Sequence, residues 1–101
     1  MFYTYIVASG RNGTLYTGST DNLFKRVYEH REALRDGFTK KYGVRLLVWF
    51  EPHETRSGAF HHERRIKEWR RSWKVQLIEE RNPDWLDLYD KLPELIGVPF
   101  R

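Results

Sequence analysis

The chain contains no cysteine. Disulfides, thiolate metal sites and cysteine nucleophilic catalysis are therefore excluded. The absence fits a reducing, cytoplasmic compartment. Long apolar runs are also missing. No stretch approaches the ~18 apolar residues of a membrane span, so no membrane partner is expected. The opening run from Met1 to Ala8 is short and carries no basic leader. It reads as a strand rather than a signal peptide. Neither an internal repeat nor a linker divides the 101 residues, a length that fits one domain.

Core material, by contrast, is plentiful. Aromatic residues make up 16% of the chain, and Leu, Ile and Val are spread along it. A domain of this size buries roughly two-thirds of its unfolded surface, so a single core is feasible, and the composition is not that of a disordered segment. Charge is unevenly placed on a net of +4. Lys25 to Lys74 holds 14 Lys/Arg against 7 Asp/Glu, whereas Glu79, Glu80, Asp84, Asp87, Asp90 and Glu94 face only Arg81 and Lys91. A basic body with an acidic end suggests a polyanionic partner; the plainer alternative is an ordinary solvated surface.

Residues 2–8 alternate and are rich in β-formers, as are Thr14 to Ser19. The turn formers Ser9 to Gly13 lie between them, which predicts an antiparallel hairpin. Thr20-Asp21-Asn22 offers N-caps for a helix running through Arg35, with Gly37 as its C-cap. Phe38 to Gly43 reads as a loop. The run Arg45 to Phe50 predicts a buried central strand ended by Pro52. Thr55 or Ser57 caps a helix to about Arg70, and a further helical segment covers Trp73 to Glu80. Asn82-Pro83-Asp84 stops it, and Trp85 to Tyr89 reads as a last helical turn. The order β-β-α-β-α-α points to an α/β (α+β) domain over residues 1–92. Its sheet is three-stranded, mostly antiparallel and flanked by helices. Residues 93–101 form a tail, docked through Leu95, Ile96 and Phe100. The place of the third strand in the sheet stays open.

Candidate chemistry gathers near the hairpin. Tyr5 and Tyr16 lie at matching depth, and Arg26 and His30 are four apart on one helix face. That helix starts beside Gly18, where phosphate is favoured by the helix N-terminus. Tyr3-Thr4-Tyr5, Tyr16-Thr17-Gly18, Arg26, His30 and the later Glu63 together resemble the signature of the GIY-YIG endonuclease family. Ile66-Lys67-x-Trp69, Trp73-Lys74, Leu77-Ile78 and Asn82-Pro83-x-Trp85 resemble its small stand-alone bacterial branch. Three signature positions differ: Tyr3 and Thr4 replace Gly-Ile, and Thr17 replaces Ile. These fall on sheet-packing and backbone positions.

The resemblance implies a metal-dependent nuclease acting on DNA phosphodiester bonds, with repair or recombination as its setting. Glu63 would hold Mg²⁺ or Mn²⁺, hard ions that accept a sparse carboxylate shell. Arg26 would clamp the scissile phosphate. Tyr5 would be the general base or water-positioning group. A free phenol has a pKa near 10, so nearby positive charge from Arg26, the metal or Lys67 would have to activate it. His30 would polarise Tyr5 or relay a proton, and Tyr16 would orient water or bind phosphate. Which tyrosine is the base is left open. All five residues are expected to line one cleft. Lys40, Lys41, Arg64, Lys67, Arg70 and Arg71 are candidate DNA-backbone contacts, and Asn82 a supporting polar residue.

Each residue alone has a plainer use: tyrosine packs strand surfaces, and Glu63 pairs with Lys67 one helical turn away. It is the ordered set that points to a site. His53, His61, His62 and Glu63 fit no familiar zinc spacing, because adjacent helical residues point about 100° apart. Packing, or a place beside Glu63, is expected for one of these histidines. The four tryptophans read mainly as core. A nucleic-acid-binding module without significant cleavage is the competing function. A third reading is the nuclease half of a larger nuclease assembly that borrows specificity from a partner; cutting both strands of a duplex would call for a second copy, as in a homodimer, or for two events.

Overall fold

The computed structural model describes residues 1–34 and 36–97. Strands β1 (Phe2–Ala8) and β2 (Leu15–Thr20) form the expected hairpin, followed by helices α1 (Leu23–Arg31) and α2 (Phe38–Tyr42) and strand β3 (Leu46–His53). Helices α3 (Arg56–Glu68), α4 (Arg71–Arg81) and α5 (Leu92–Ile96) complete the fold, with a 3₁₀ turn at Tyr89–Lys91 before α5. The sheet is antiparallel in the order β2-β1-β3.

β1 is thus the central strand, and β3, whose place the sequence leaves open, is an edge strand rather than the central one its apolar run suggests. Its edge position explains why it runs on through Pro52, since a missing N–H is tolerated on the outer side of an edge strand. The continuous apolar run reflects cores on both faces of the sheet. A register shift opposite Ile6/Val7 pairs Ile6 with Trp49 and Val7 with Leu47. Val48 and Trp49 consequently enter the same core although they are neighbours in sequence. The C-terminal segment covers the outer side of β3: Leu88 N–H donates to the Leu47 carbonyl at 2.8 Å, and Asp87 accepts from Leu47 N–H at 3.2 Å.

Strand alternation sends side chains to two cores, one on each face of the sheet. On the first face Tyr5 and Val7 pack with Leu23 and Val27 of α1, Leu47 and Leu92. On the second, Ile6, Ala8, Val48 and Trp49 pack with Ile66 of α3, Ile78 of α4 and Trp85. Thr4, which stands where the family pattern has isoleucine, is fully buried. Its hydroxyl donates to the Ala59 carbonyl of α3 at 2.8 Å, so a hydrogen bond replaces apolar packing at this sheet–helix contact.

Several boundaries differ from the sequence reading. α1 stops at Arg31 because Ala33 takes a left-handed backbone, φ 54°; Arg35 lies outside the described residues. Gly37 is the N-cap of α2 rather than the C-cap of α1, and the expected loop 38–43 is α2, closed by Gly43 at φ 63°. Trp85 has φ 57°, which breaks the helical turn expected there. The tail starts as α5, with Leu92 buried and Ile96 packed on the first core. Leu95 is exposed, and Phe100 lies outside the described residues. Among those residues, no helix is long and apolar enough to cross a membrane.

Candidate active site

Pairing of β1 with β2 sets Tyr5 opposite Gly18. The Tyr5 ring lies over that glycine so closely that a Cβ there would fall 2.5 Å from the phenol oxygen and 2.7 Å from Cζ. Asn22 caps α1 by accepting from Lys25 N–H at 3.1 Å, and the helix then presents Arg26 and His30 one turn apart. Tyr5 Oη is 3.0 Å from His30 Nε2, and His30 Nδ1 is 3.2 Å from Thr39 Oγ1 of α2. Tyr5 has no exposed surface. Burial pushes its phenol well above the usual value near 10; the neighbouring Tyr16 and, more weakly, Glu63 push the same way, against the downward pull of Arg26. Arg26 does sit beside Tyr5 as expected and pulls its pKa down, while the net shift is upward. The Tyr5 hydroxyl meets the His30 ring.

Tyr16 is only partly buried. Its ring centroid lies 5.7 Å from that of His30, and Lys67 Nζ lies 5.4 Å from the Tyr16 centroid on another side. A surface hollow of about 140 Å³ is lined by Tyr16, Arg26, His30 and Thr39. A second, of about 340 Å³, is lined by Phe60, Glu63, Arg64 and Lys67. Tyr5 lies beneath the first hollow, bonded to His30, and Glu63 lines the second; Lys67, over the Tyr16 ring and paired with Glu63, joins the two. Strand alternation sets the side from which each residue approaches. Tyr16 and Gly18 face the first core, while Ser19 faces α3 on the other side.

Glu63 reaches the β2 margin from that second face. One of its carboxylate oxygens accepts from Ser19 Oγ at 2.6 Å, and the other pairs with Lys67 Nζ at 2.7 Å. Its charge still acts on Tyr5. Arg26, partly exposed, pairs through Nε with Glu29 at 3.3 Å. Ser19 and Thr39 are not among the residues expected from sequence. Strand alternation after Gly18 is the signal that would have found Ser19. Thr39 lies in a segment that reads as loop.

The remaining candidates divide. Arg64 and Lys67 line the Glu63 hollow. Lys40 pairs with Asp36 at 3.3 Å, Lys41 lies over Tyr42 and Arg70 over Trp73. Arg71 donates to the carbonyls of Asn12 at 2.8 Å and Gly13 at 2.7 Å, tying α4 to the hairpin turn. Asn82 bonds backbone groups of Val48 and Leu86 and none of the five site residues. His61 meets Ser57, and His62 turns toward His53 rather than Glu63. Trp49 and Trp85 are core, while Trp73 is half exposed.

The GIY-YIG catalytic domain model matches residues 1–76. The chain belongs to the GIY-YIG family. A UPF0213 protein of Haloquadratum walsbyi is 40% identical over 77% of this chain and 86% of its own length. One from Clostridium perfringens is 37% identical over 81% and 87%. The solution NMR structure of the UPF0213 protein BH0048 from Bacillus halodurans covers 92% of this chain and 96% of that one, with TM-score 0.53 and 23% identity. That likeness shows the fold. This chain spans most of the length of both relatives, and the family's catalytic domain is of the nuclease type. GIY-YIG nucleases are typically dependent on a divalent metal. Glu63 and Ser19 fit such an ion, since both offer oxygen and the adjoining hollow leaves room for water and phosphate ligands.

Proposed function

We propose that this GIY-YIG protein is an endonuclease that hydrolyses DNA phosphodiester bonds with Mg²⁺ or Mn²⁺ held at Glu63, in DNA repair or recombination. One observation carries the reading: Arg26, His30, Tyr16, Lys67 and Glu63 follow one another along the margin of β2. Cations, an imidazole, a phenol and a carboxylate are thereby gathered along a single edge, with His30 and Glu63 buried behind the partly exposed Tyr16 and Arg26 and the exposed Lys67.

Arg26 would bind the non-bridging oxygens of the scissile phosphate through its planar fork and offset charge developing there. The metal, when bound, would supply Lewis acidity and lower the pKa of a coordinated water. Tyr16 is the phenol open to solvent, and it orients the attacking water. Tyr5 holds the His30 ring through its hydroxyl, with Thr39 on the other nitrogen, so that His30 faces the phosphate hollow in one orientation. Lys67 pairs with Glu63 and would be released toward phosphate were an ion held at that carboxylate. Arg64 extends the same cationic wall without reading sequence.

A second reading, a DNA-binding module without cleavage, draws on the Lys67–Glu63 pair, which already satisfies the carboxylate. Purified protein incubated with single-stranded, double-stranded and branched DNA, and with RNA, separates the two. The nuclease gives products that need Mg²⁺ or Mn²⁺ and vanish with chelator. Binding without products on every substrate would establish the module.

A further inference from the structure

The other flank of α3 carries a different cluster. Thr4 pairs with Ser19 on β2 and with Glu51 on β3, so one row across the sheet links Ser19 to Glu51. Ser19 binds Glu63 at one end of this row. At the other, Glu51 and His53, two apart on one face of β3, meet His62 of α3. His62 Nδ1 is 3.3 Å from His53 Nε2 and 3.6 Å from Glu51 Oε2. The three donor atoms all lie within 4.8 Å of one another. Adjacent strands are about 4.8 Å apart, so two strands put this cluster roughly 10 Å from Ser19.

We propose that Glu51, His53 and His62 form a binding site for one divalent zinc-class ion, separate from the carboxylate of Glu63. The donor set is two imidazoles and one carboxylate, which suits zinc and not magnesium. Spacing agrees as well. Ligands at zinc–nitrogen distances of 2.0–2.1 Å around a tetrahedron stand about 3.3–3.4 Å apart, and two of the three separations are 3.3 and 3.6 Å. The cluster is partly buried, with the His62 ring edge-on to buried Trp49 at 5.9 Å. Glu51 is split suitably: Oε1 faces Arg81 at 3.6 Å, leaving Oε2 toward the histidines.

Protons can be followed through loading. The Thr4 hydroxyl hydrogen is committed to the Ala59 carbonyl at 2.8 Å, so the Thr4 oxygen only accepts. His53 Nε2, 3.2 Å from Thr4 Oγ1, then carries the ring proton in the metal-free state. Binding moves that proton to Nδ1 and frees Nε2 as a ligand. Water supplies the fourth position. The ion would pin α3 to β3 on the flank opposite the Ser19–Glu63 bond. Glu63, His61 and Ser57 take no part, which is why histidine spacing within α3 alone fits no ligand pattern; the decisive carboxylate comes from β3.

The test is a zinc titration of the chelator-stripped full-length protein against a chromophoric competitor, with melting temperature read in parallel. The expected result is one zinc per chain and a melting temperature that rises with zinc, as it must for a ligand bound only to the folded state. His53→Ala and His62→Ala should each weaken binding at least tenfold, and Glu51→Gln, partly exposed and conservative, should weaken it too. Glu63→Ala and His61→Ala should leave it unchanged. If a histidine variant does not fold, zinc-dependent NMR shifts of the His53 and His62 ring nitrogens in the parent decide the matter in its place. Absence of stoichiometric zinc, binding that survives loss of the cluster ligands, or binding lost in Glu63→Ala would each overturn the site. None of these readouts depends on DNA cleavage, so the zinc site and the nuclease reading stand or fall apart.

Discussion

The two flanks of α3 solve the same packing problem with opposite chemistry. Toward β2, Glu63 meets Ser19 and Lys67; toward β3, His62 meets His53 and Glu51. The first flank offers oxygen and cationic groups beside an open hollow, which suits phosphate and hard ions. The second offers imidazoles packed against Trp49, which suits a borderline ion held for structure. One helix can therefore serve a reaction at one edge and be anchored at the other. Neighbouring residues 62 and 63 belong to different sites because they point about 100° apart.

The same contrast holds between the two tyrosines, and it can be broken by mutation. Tyr16→Phe should reduce cleavage by roughly 10²-fold, the scale of a misplaced reactant, while Tyr5→Phe should reduce it less. Single-turnover rates on one DNA substrate decide this; a larger loss at Tyr5 would return the water-positioning role to the buried phenol. Gly18→Ala places a methyl against the Tyr5 ring, which cannot move without disturbing the first core. A destabilisation of about 1–3 kcal/mol is expected by denaturant melts.

Alkaline pH sharpens the comparison further. The Tyr5 phenol is pushed up by burial, so its contribution is fully present below the unfolded value near 10. It fades as pH rises above that value, because the unfolded chain then releases the proton that the folded chain keeps. Melting temperature should therefore begin to fall as pH rises past about 10, the unfolded phenol's value, and keep falling toward the higher folded value, less steeply in Tyr5→Phe. The smallest effect is expected at Arg71→Ala, which removes the tie to the hairpin turn. It should cost about 1 kcal/mol and weaken DNA binding little.

The hairpin, α3 and α4 were legible because strand alternation and helical spacing are local signals. Strand position was not: the run from Leu46 to Trp49 is apolar because both faces of β3 are covered, which an edge strand shares here with a central one. α2 was missed because five residues carry too little periodicity. The order of the five candidate site residues was visible in sequence. Their division between two faces was not, since it depends on which side of β2 α3 packs. For the same reason Ser19, Thr39 and the Glu51 cluster appear only when strand and helix meet.

Single-turnover cleavage by Glu63→Gln, with Mg²⁺ or Mn²⁺ and DNA affinity measured alongside, tests the assignment of the β2 margin most directly. Cleavage should fall by roughly 10³-fold, the loss typical of a key electrostatic group, with DNA affinity and melting temperature close to the parent. Cleavage at the parental rate would contradict the assignment.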